Sequence, residues 1–596
     1  MISSYGKWAS SLRKISLLLV LSVLLPTFGI SNSVMAAEQV YGSYSALHLS
    51  IPITSLEKYS QTGVIDNKLN VYQQYLPPQK LQELRRILLT PVKVSPVVVS
   101  QFLYTPQGEF ILRRLAEAIK TKSPQTQPKF QTLRSAFISA ATEPGGLTLL
   151  NLLRKYPTSS INIDLAHSIG IAGELEKLIN ETTLAIAEVS RKSNIEATNQ
   201  ESINFSQLPD LRQQGQFKAQ KYTVKFLDLS RRRELLTDLY IPNVQSPAPI
   251  IVISHGLGTD SSNFRYLAAH LASYGFAVVV PNHSSSDTKQ LRSPINDKAI
   301  EVSQANEFTD RPLDVKYILN QLEKANQSDS RFKGLLNLQQ VGVFGQSLGG
   351  YTALALAGAK INFGQLQKDC QPELLQDTWN MSLLLQCRAL ALKNGQFGQE
   401  MNLRDERVKA AIAVNPITSS IFGKAGLSQV KIPVMLVGSS DDTVAPALFE
   451  QILPFSWFAN SQKYLVMLVG ASHFSTIGNG NSDRESVGSI SQVIGDNPAQ
   501  ARRYMNALSL PFFQTYVALT SKYFPYLNAA YAKAISSQPL SVSFVQSLQT
   551  TQLAQIVDTE GKAAKGLSKK SFTSIVNFGF WMLDVGVALL HVIMFL

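Results

Sequence analysis

The chain has 596 residues, of which 45% are hydrophobic and only 16% are charged, so it can bury at least one large core. This composition excludes disordered, collagen-like and disulfide-scaffold proteins. The 55 Lys and Arg residues outnumber the 42 Asp and Glu residues, and the net charge of +13 favours anionic partners. Because the basic residues are spread along the chain, we expect a membrane surface rather than a nucleic acid.

The first 37 residues have the layout of a secretory signal peptide. Three basic residues and no acidic one precede an uncharged, largely apolar run from Ile15 to Leu25, and small residues follow it. The run is too short to span a bilayer comfortably, so we expect cleavage near Ala36 or Ala37 rather than a retained anchor. The mature protein is then exported, to the periplasm or the extracellular space.

The next segment repeats apolar residues at helical spacing, for example Leu81, Leu84 and Leu88. We predict a mostly helical N-terminal domain over residues 38–205. Its opening piece, from Tyr41 to Ile53, alternates as a strand does. From Ser190 to about Gly215 the sequence turns polar, which is typical of an exposed linker, and we place a domain boundary near residue 205.

Short β-rich runs alternate with helical segments over residues 206–535. KYTVKFLDL and ELLTDLYIP predict an antiparallel hairpin at a sheet edge. The later runs are PIIVISHG, FAVVVPNH, QQVGVFGQS, VKAAIAVNP, KIPVMLVGSS and KYLVMLVGASH. Continuous apolar runs separated by crossover-length segments predict a mostly parallel sheet with helices on both faces, which is an α/β fold.

A GxSxG sequence at residues 345–349 lies directly between an apolar strand and a helical segment. In a nucleophile elbow, Gly345 and Gly349 allow the strand and helix backbones to approach closely, and Ser347 lifts its hydroxyl into the cleft. We therefore predict Ser347 as the nucleophile. The alternative is a glycine-rich turn with an inert serine.

The earlier strand that ends in SHGLG lies where this kind of fold supplies an oxyanion hole. Leu257 and Leu348, the residue after the nucleophile, would each give one backbone N–H. We interpret His255 as a structural turn residue rather than a base.

A segment from about residue 362 to 404 interrupts the strand–helix alternation, and we predict that it caps the carboxyl edge of the sheet. It contains Cys370 and Cys387, 17 residues apart, for which export makes a disulfide plausible. The apolar residues Leu383 to Leu385 would form an acyl-binding roof or simply pack. The sequence has no metal-binding or nucleotide-binding motif, so we predict no cofactor and no metal.

The serine needs a base, and the chain has seven histidines. In hydrolases with a nucleophile elbow, the catalytic residues follow the chain order serine, acid, histidine. Only His473 and His591 come after Ser347 in the sequence. Because His591 lies in an apolar tail, we predict His473 as the base. The acid should follow the strand KIPVMLV. Counting forward from its end favours Asp441, and counting back from Val444 favours Asp442, which we prefer.

The C-terminal tail, residues 536–596, ends in about 23 largely apolar residues from Ser574 that are preceded by four lysines. This length can cross a bilayer, but lysines on the exported side oppose the positive-inside tendency. A transmembrane anchor and a surface-lying or protein-packed helix both remain open.

Residues from about 220 to 530 resemble the α/β-hydrolases. The phrases SHGLG, LASYGFAVVVPNH and GQSLGGYTAL resemble the branch of platelet-activating-factor acetylhydrolase and dienelactone hydrolase. This resemblance implies cleavage of carboxylic esters without a metal. Residues 38–190 are similar to a helical domain that precedes such hydrolases in cyanobacteria. The secreted animal acetylhydrolases take their acid after the sixth strand, where this chain has Asn415, so here the acid is expected at residues 441–442.

These patterns predict an exported serine hydrolase that cleaves carboxylic esters, with a small-molecule or lipid-like substrate and possible contact with a membrane surface. Ser347 attacks the carbonyl, His473 transfers the proton and Asp442 orients His473. The alternatives are another acyl-transfer enzyme, such as a peptidase or an acyltransferase, and a non-catalytic cell-envelope binding protein.

Overall fold

The computed structural model describes most of the chain between residues 36 and 553. The described residues are 36–44, 47–73, 78–92, 96–104, 106–120, 129–200, 203–283, 305–376, 378–394, 402–478, 498–548 and 553. Residues 1–35 of the predicted signal peptide lie outside the described residues, as does the apolar tail with His591.

The N-terminal region, up to Asn199, is mostly helical but also contains a small sheet with the strand order β2-β1-β4-β3. Its strands are β1 Gln39–Tyr44, β2 Leu47–Pro52, β3 Ile119–Lys120 and β4 Ser160–Asp164. Its helices are α1 Ile53–Thr62, α2 Asn67–Gln73, α3 Pro78–Leu89, α4 Pro96–Leu103, α5 Pro106–Glu117, α6 Lys129–Ala141, α7 Leu149–Arg154 and α8 Leu165–Asn199.

Local sequence accounts for several of these helix starts. The helices α3, α4 and α5 each begin with proline, whose fixed φ suits the first helical position. Asp164 caps α8 by accepting a hydrogen bond from the backbone N–H of His167 at 3.2 Å. The predicted strand from Tyr41 to Ile53 is in fact an antiparallel pair, β1 and β2.

The C-terminal region is built on a nine-stranded sheet. Its strands are β5 Ala219–Asp228, β6 Arg233–Pro242, β7 Ala248–Ser254, β8 Ala277–Pro281, β9 Leu336–Gln346, β10 Val408–Val414, β11 Val434–Ser439, β12 Lys463–Val469 and β13 Ser541–Val545. Its helices are α9 Arg265–Ser273, α10 Glu307–Ser328, α11 Leu348–Leu356, α12 Phe363–Asp369, α13 Pro372–Gln376, α14 Met381–Cys387, α15 Gly423–Leu427, α16 Leu453–Phe455, α17 Pro498–Tyr516 and α18 Ala529–Ile535.

The strand order in this sheet is β13-β12-β11-β10-β9-β7-β8-β6-β5. The six strands β7 to β12 are parallel, and the edges are closed by the predicted hairpin of β5 and β6 and by β13, which is antiparallel to β12. The predicted fold class, a mostly parallel sheet preceded by a mostly helical region, is confirmed.

Helices cover both faces of the nine-stranded sheet. In β7, Ile251 and Ile253 pack into the core formed with α9 and α17, whereas Ile250 and Val252 pack into the core formed with α10 and α11. Successive side chains of a strand point to opposite faces, so a strand buried on both faces must be apolar throughout. This arrangement places the carboxyl ends of all six parallel strands at one edge.

Two sequence-based boundaries differ from the structure. Residues 190–199, interpreted as part of an exposed linker, form the last turns of α8 and pack on β13. The Ser193 hydroxyl accepts a hydrogen bond from the Phe544 N–H at 2.9 Å, and Ser190 bonds Ser543 at 2.9 Å. Because β13 follows residue 535, the sheet also extends past the predicted end of the C-terminal domain. Within the described part of the chain, no helix is both long and apolar enough to cross a membrane.

Candidate active site

The GxSxG segment forms a sharp turn between β9 and α11. Ser347 has φ 56° and ψ −120°, a strained backbone conformation for a residue with a Cβ. A Cβ on Gly345 would lie 1.9 Å from the carbonyl oxygen of Gly349, and a Cβ on Gly349 would lie 2.0 Å from that of Ser254. The turn therefore requires both glycines, and it presents Ser347 at the carboxyl edge of the sheet.

His473 and Asp442 meet at the same edge, after β12 and β11. The His473 Nδ1–H donates to Asp442 Oδ2 at 2.7 Å, and both side chains are buried. The other oxygen of Asp442 accepts the backbone N–H groups of Val444 and Ala445 at 2.9 and 2.7 Å. These three hydrogen bonds fix the carboxylate, which in turn fixes the direction of the imidazole ring.

Asp441, the alternative acid, has a different environment. Its Oδ1 accepts the Ser440 hydroxyl at 2.6 Å, and its backbone N–H donates to the carbonyl of Ala471. Asp441 thus ties the loop after β11 to the loop after β12. The geometry favours Asp442 as the partner of His473.

Two amide side chains hold the His473 loop against the elbow. Gln346 Nε2 and Asn415 Nδ2 both donate to the backbone carbonyl of His473, at 3.1 and 3.2 Å. Asn415 directly follows β10 and has φ 43°. Sequence reasoning missed this role, although the position of Asn415 at the end of a parallel strand was a usable signal.

Ser347 and His473 lie in neighbouring segments, since Gln346, the residue before Ser347, bonds the His473 carbonyl. Among the described residues, no hydrogen bond joins the Ser347 hydroxyl to the His473 ring. Catalytic hydrogen bonds are often long in unliganded enzymes and tighten when substrate binds. The elbow and the oriented imidazole together can activate a serine hydroxyl.

Leu257 and Leu348 are the two residues predicted to form the oxyanion hole. Leu257 is in the loop after β7, and Leu348 is the first residue of α11. Within the described chain, neither backbone N–H donates a hydrogen bond to another residue. Two such donors beside a nucleophile can stabilise the negative charge of a tetrahedral intermediate.

His255 is a buried structural residue, as the sequence suggested. Its Nδ1–H donates to the Gly256 carbonyl at 2.8 Å, and its Nε2 accepts the His283 backbone N–H at 3.1 Å. Desolvation lowers the pKa of His255 well below its usual value, with further contributions from the nearby Arg311 and His283. The ring is therefore neutral, and both of its nitrogens are occupied with the loop.

A second serine, histidine and aspartate arrangement lies beneath this loop. His283 contacts the Ser254 hydroxyl through Nε2 at 3.0 Å and Asp314 Oδ2 through Nδ1 at 3.3 Å. All three side chains are fully buried, and desolvation lowers the pKa of His283 well below its usual value. No substrate reaches a fully buried serine, so this cluster supports the end of β7.

The segment predicted as a cap packs against the loop after β11, which contains Asp442. Cys370 and Cys387 form a disulfide with Cα atoms 5.6 Å apart. The Ser382 N–H donates to the Val444 carbonyl at 2.8 Å, beside Asp442. Leu385 is buried in the core of the C-terminal region and Leu384 packs against that of the N-terminal region, so both favour the packing role over an acyl-binding roof.

The described residues contain no group of three or more His, Cys, Asp and Glu side chains that could hold a metal ion. At the carboxyl edge of the sheet, the candidate catalytic groups are the hydroxyl of Ser347, the imidazole of His473 and the carboxylate of Asp442. Such a set can perform acyl transfer by itself.

Two family models match the sequence. Residues 36–164 match an alpha/beta hydrolase of unknown function (DUF1400), and residues 208–368 match chlorophyllase. No curated protein matches the chain. The chlorophyllase match includes Leu257, Ser347 and Leu348 but ends before Asp442 and His473.

Proposed function

Because the chain belongs to the α/β-hydrolase superfamily, we propose that it is a serine hydrolase that cleaves carboxylic esters. The observation that carries the proposal is the 2.7 Å hydrogen bond between His473 and Asp442, at the same sheet edge as the strained Ser347. A structural serine in a glycine-rich turn does not need an oriented imidazole beside it.

In the first half of the proposed reaction, Ser347 Oγ attacks the ester carbonyl while His473 Nε2 takes the hydroxyl proton. Asp442 keeps the ring proton on Nδ1 and stabilises the imidazolium that forms. The N–H groups of Leu257 and Leu348 bind the oxyanion. His473 then protonates the leaving alcohol, and an acyl-enzyme remains on Ser347.

In the second half, water enters, His473 takes its proton and the hydroxide attacks the acyl-enzyme. The carboxylic acid leaves as Ser347 regains its proton from His473. An acyltransferase would follow the same steps with an alcohol or amine in place of water, and a peptidase would release an amine in the first half.

We place the substrate among lipid-like esters, and the protein outside the cytoplasm. The resemblance to acetylhydrolases, the signal-peptide layout of the N-terminus and the net charge of +13 support this assignment. The name of the chlorophyllase family adds chlorophyll to the candidate substrates.

The test is a panel of p-nitrophenyl esters of increasing acyl length, together with a phospholipid and chlorophyll, measured on wild type, Ser347→Ala and His473→Ala. We expect hydrolysis by wild type alone. Adding alcohol and amine acceptors distinguishes hydrolysis from acyl transfer, and a peptide substrate tests the peptidase alternative. Equal turnover by all three proteins, or by none, contradicts the proposal, and none favours the non-catalytic binding protein.

A further inference from the structure

A buried ion pair lies directly behind the loop that carries Leu257. Glu307 and Arg311 are one turn apart at the start of α10, and Arg311 Nε donates to Glu307 Oε2 at 3.0 Å. The side chain of Arg311 is 0% exposed and that of Glu307 is 1% exposed. Desolvation offsets much of the attraction in a buried ion pair, so the pair adds little to the stability of the fold. We therefore expect its main role to be in orienting the other groups that the Arg311 guanidinium contacts.

Those groups are two consecutive backbone carbonyls of the loop. Arg311 Nη1 donates to the carbonyl of His255, and Nη2 donates to that of Gly256 at 3.4 Å. The Gly256 carbonyl also accepts His255 Nδ1–H at 2.8 Å and the Thr259 hydroxyl at 3.2 Å. Three donors on one oxygen leave its peptide group little freedom to rotate.

The Gly256 carbonyl and the Leu257 N–H belong to the same peptide unit. Since the unit is planar and trans, the N–H points opposite to the carbonyl, and fixing one fixes the other. From this we infer that Arg311 is a positioning residue for the oxyanion hole: it holds the Gly256 carbonyl so that the Leu257 N–H faces the oxygen of the carbonyl group that Ser347 attacks. This inference rests on the proposed function.

The charge on Arg311 adds to the effect of position. A guanidinium that donates to a carbonyl polarises the peptide unit and makes the N–H at its other end a stronger donor. Gly256 also passes close to the elbow, because a Cβ there would lie 2.3 Å from Gln346 Oε1. The loop is thus held between the ion pair on one side and the elbow on the other.

The test compares an ester with the matching thionoester, in which sulfur replaces the carbonyl oxygen. Sulfur accepts hydrogen bonds poorly, so the oxyanion hole accelerates the ester far more than the thionoester. Arg311→Lys keeps the charge opposite Glu307 but lacks the planar fork that reaches two carbonyls. We expect its ester kcat to fall by about 10- to 100-fold, with little change in KM, and the ester/thionoester rate ratio to fall with it.

A matched control is Arg407→Lys. Arg407 makes a two-point ion pair with Asp405, at 2.9 and 2.6 Å, just before β10 and so at the opposite end of the sheet. We expect it to leave the rate ratio unchanged. Thr259→Val removes another donor to the Gly256 carbonyl without touching the ion pair, and we expect a smaller fall in the same ratio, which keeps the test available if Arg311→Lys does not fold.

The outcomes separate two failures. A wild type that hydrolyses no ester refutes the proposed function, and this inference with it. An active wild type whose ester/thionoester ratio is unchanged in folded Arg311→Lys and in Thr259→Val refutes the positioning role alone, because a merely structural residue would lower activity on both substrates equally.

Discussion

Replacing Asp442 by asparagine tests which carboxylate orients His473. Asparagine is almost the same size, and its amide oxygen can still accept the N–H groups of Val444 and Ala445. Its NH₂ group then faces His473 Nδ1. Two N–H groups cannot donate to each other, so the ring moves its proton to Nε2, the nitrogen that must accept the serine proton.

We expect the ester kcat of Asp442→Asn to fall by about 10⁴-fold, which is the effect of a wrong histidine tautomer in such a triad and corresponds to about 5.5 kcal/mol. The melting temperature should change little, because the two backbone hydrogen bonds remain and the asparagine NH₂ donates to the deprotonated Nδ1. Asp441→Asn is the matched control and should keep activity within about 10-fold, since its carboxylate contacts Ser440 rather than the histidine. Steady-state kinetics with one ester substrate measures both variants. Full activity in Asp442→Asn, or an equal loss in both, would refute the assignment.

Three further predictions concern the folding and stability of the protein. Gly349→Ala should give no folded protein, because its Cβ would lie 2.0 Å from the Ser254 carbonyl oxygen. Gly364→Ala, whose Cβ would lie 3.5 Å from the nearest atom, should fold as wild type does. Soluble yield and circular dichroism distinguish the two variants, and a folded Gly349→Ala would contradict the elbow packing. Burial lowers the pKa of His270 to about 4 in the folded protein, below its value of about 6.5 in the unfolded chain. The neutral ring therefore contributes fully to the free energy of unfolding above about pH 6.5. This contribution is lost as the pH falls toward 4, because the unfolded chain then binds the proton first. From pH 8 to pH 5, this group should lower the free energy of unfolding by about 2 kcal/mol. The free energy of unfolding measured by urea denaturation should therefore depend less on pH in His270→Leu than in wild type. The same pH dependence in both proteins would contradict the lowered pKa. Removing the disulfide with Cys370→Ser and Cys387→Ser should cost about 3 kcal/mol, measured as a lower melting temperature; an unchanged temperature would count against it.

The main sheet and the candidate triad were predictable because each depends on a local pattern. Continuous apolar runs mark strands buried on both faces, and the parallel strands bring the residues that follow them to one edge. The position of Ser347 follows from two glycines and its place between a strand and a helix. The choice between Asp441 and Asp442 did not follow in the same way, because one residue in a turn reverses the direction of a side chain.

The misplaced boundaries have a different physical cause. Ser190 and Ser193 make the end of α8 polar, as an exposed linker would be, yet both bond to β13 about 350 positions later in the sequence. Such a contact between distant segments leaves no local pattern. For the same reason, the sequence did not predict the hydrogen bonds from Gln346 and Asn415 to the His473 carbonyl. These three residues lie in different segments, and none of the segments has a local pattern that indicates the contact.

The small N-terminal sheet was missed because its strands are short and far apart. The strand β3 has only two residues, and β1 pairs in parallel with β4 across more than one hundred residues of helical sequence. Only the β1 and β2 pair is local enough to show as an alternating pattern. The helical repeats between the strands, for example around Leu84, therefore dominated the prediction.

The most direct test of the proposed activity is covalent labelling with a fluorophosphonate probe, which reacts with activated serines and requires no choice of substrate. We predict that wild type is labelled, that peptide mass spectrometry places the adduct on Ser347, and that Ser347→Ala and His473→Ala are not labelled. Folded wild-type protein that stays unlabelled, or an adduct on another serine that survives Ser347→Ala, would contradict the proposal that Ser347 is the nucleophile of a serine hydrolase.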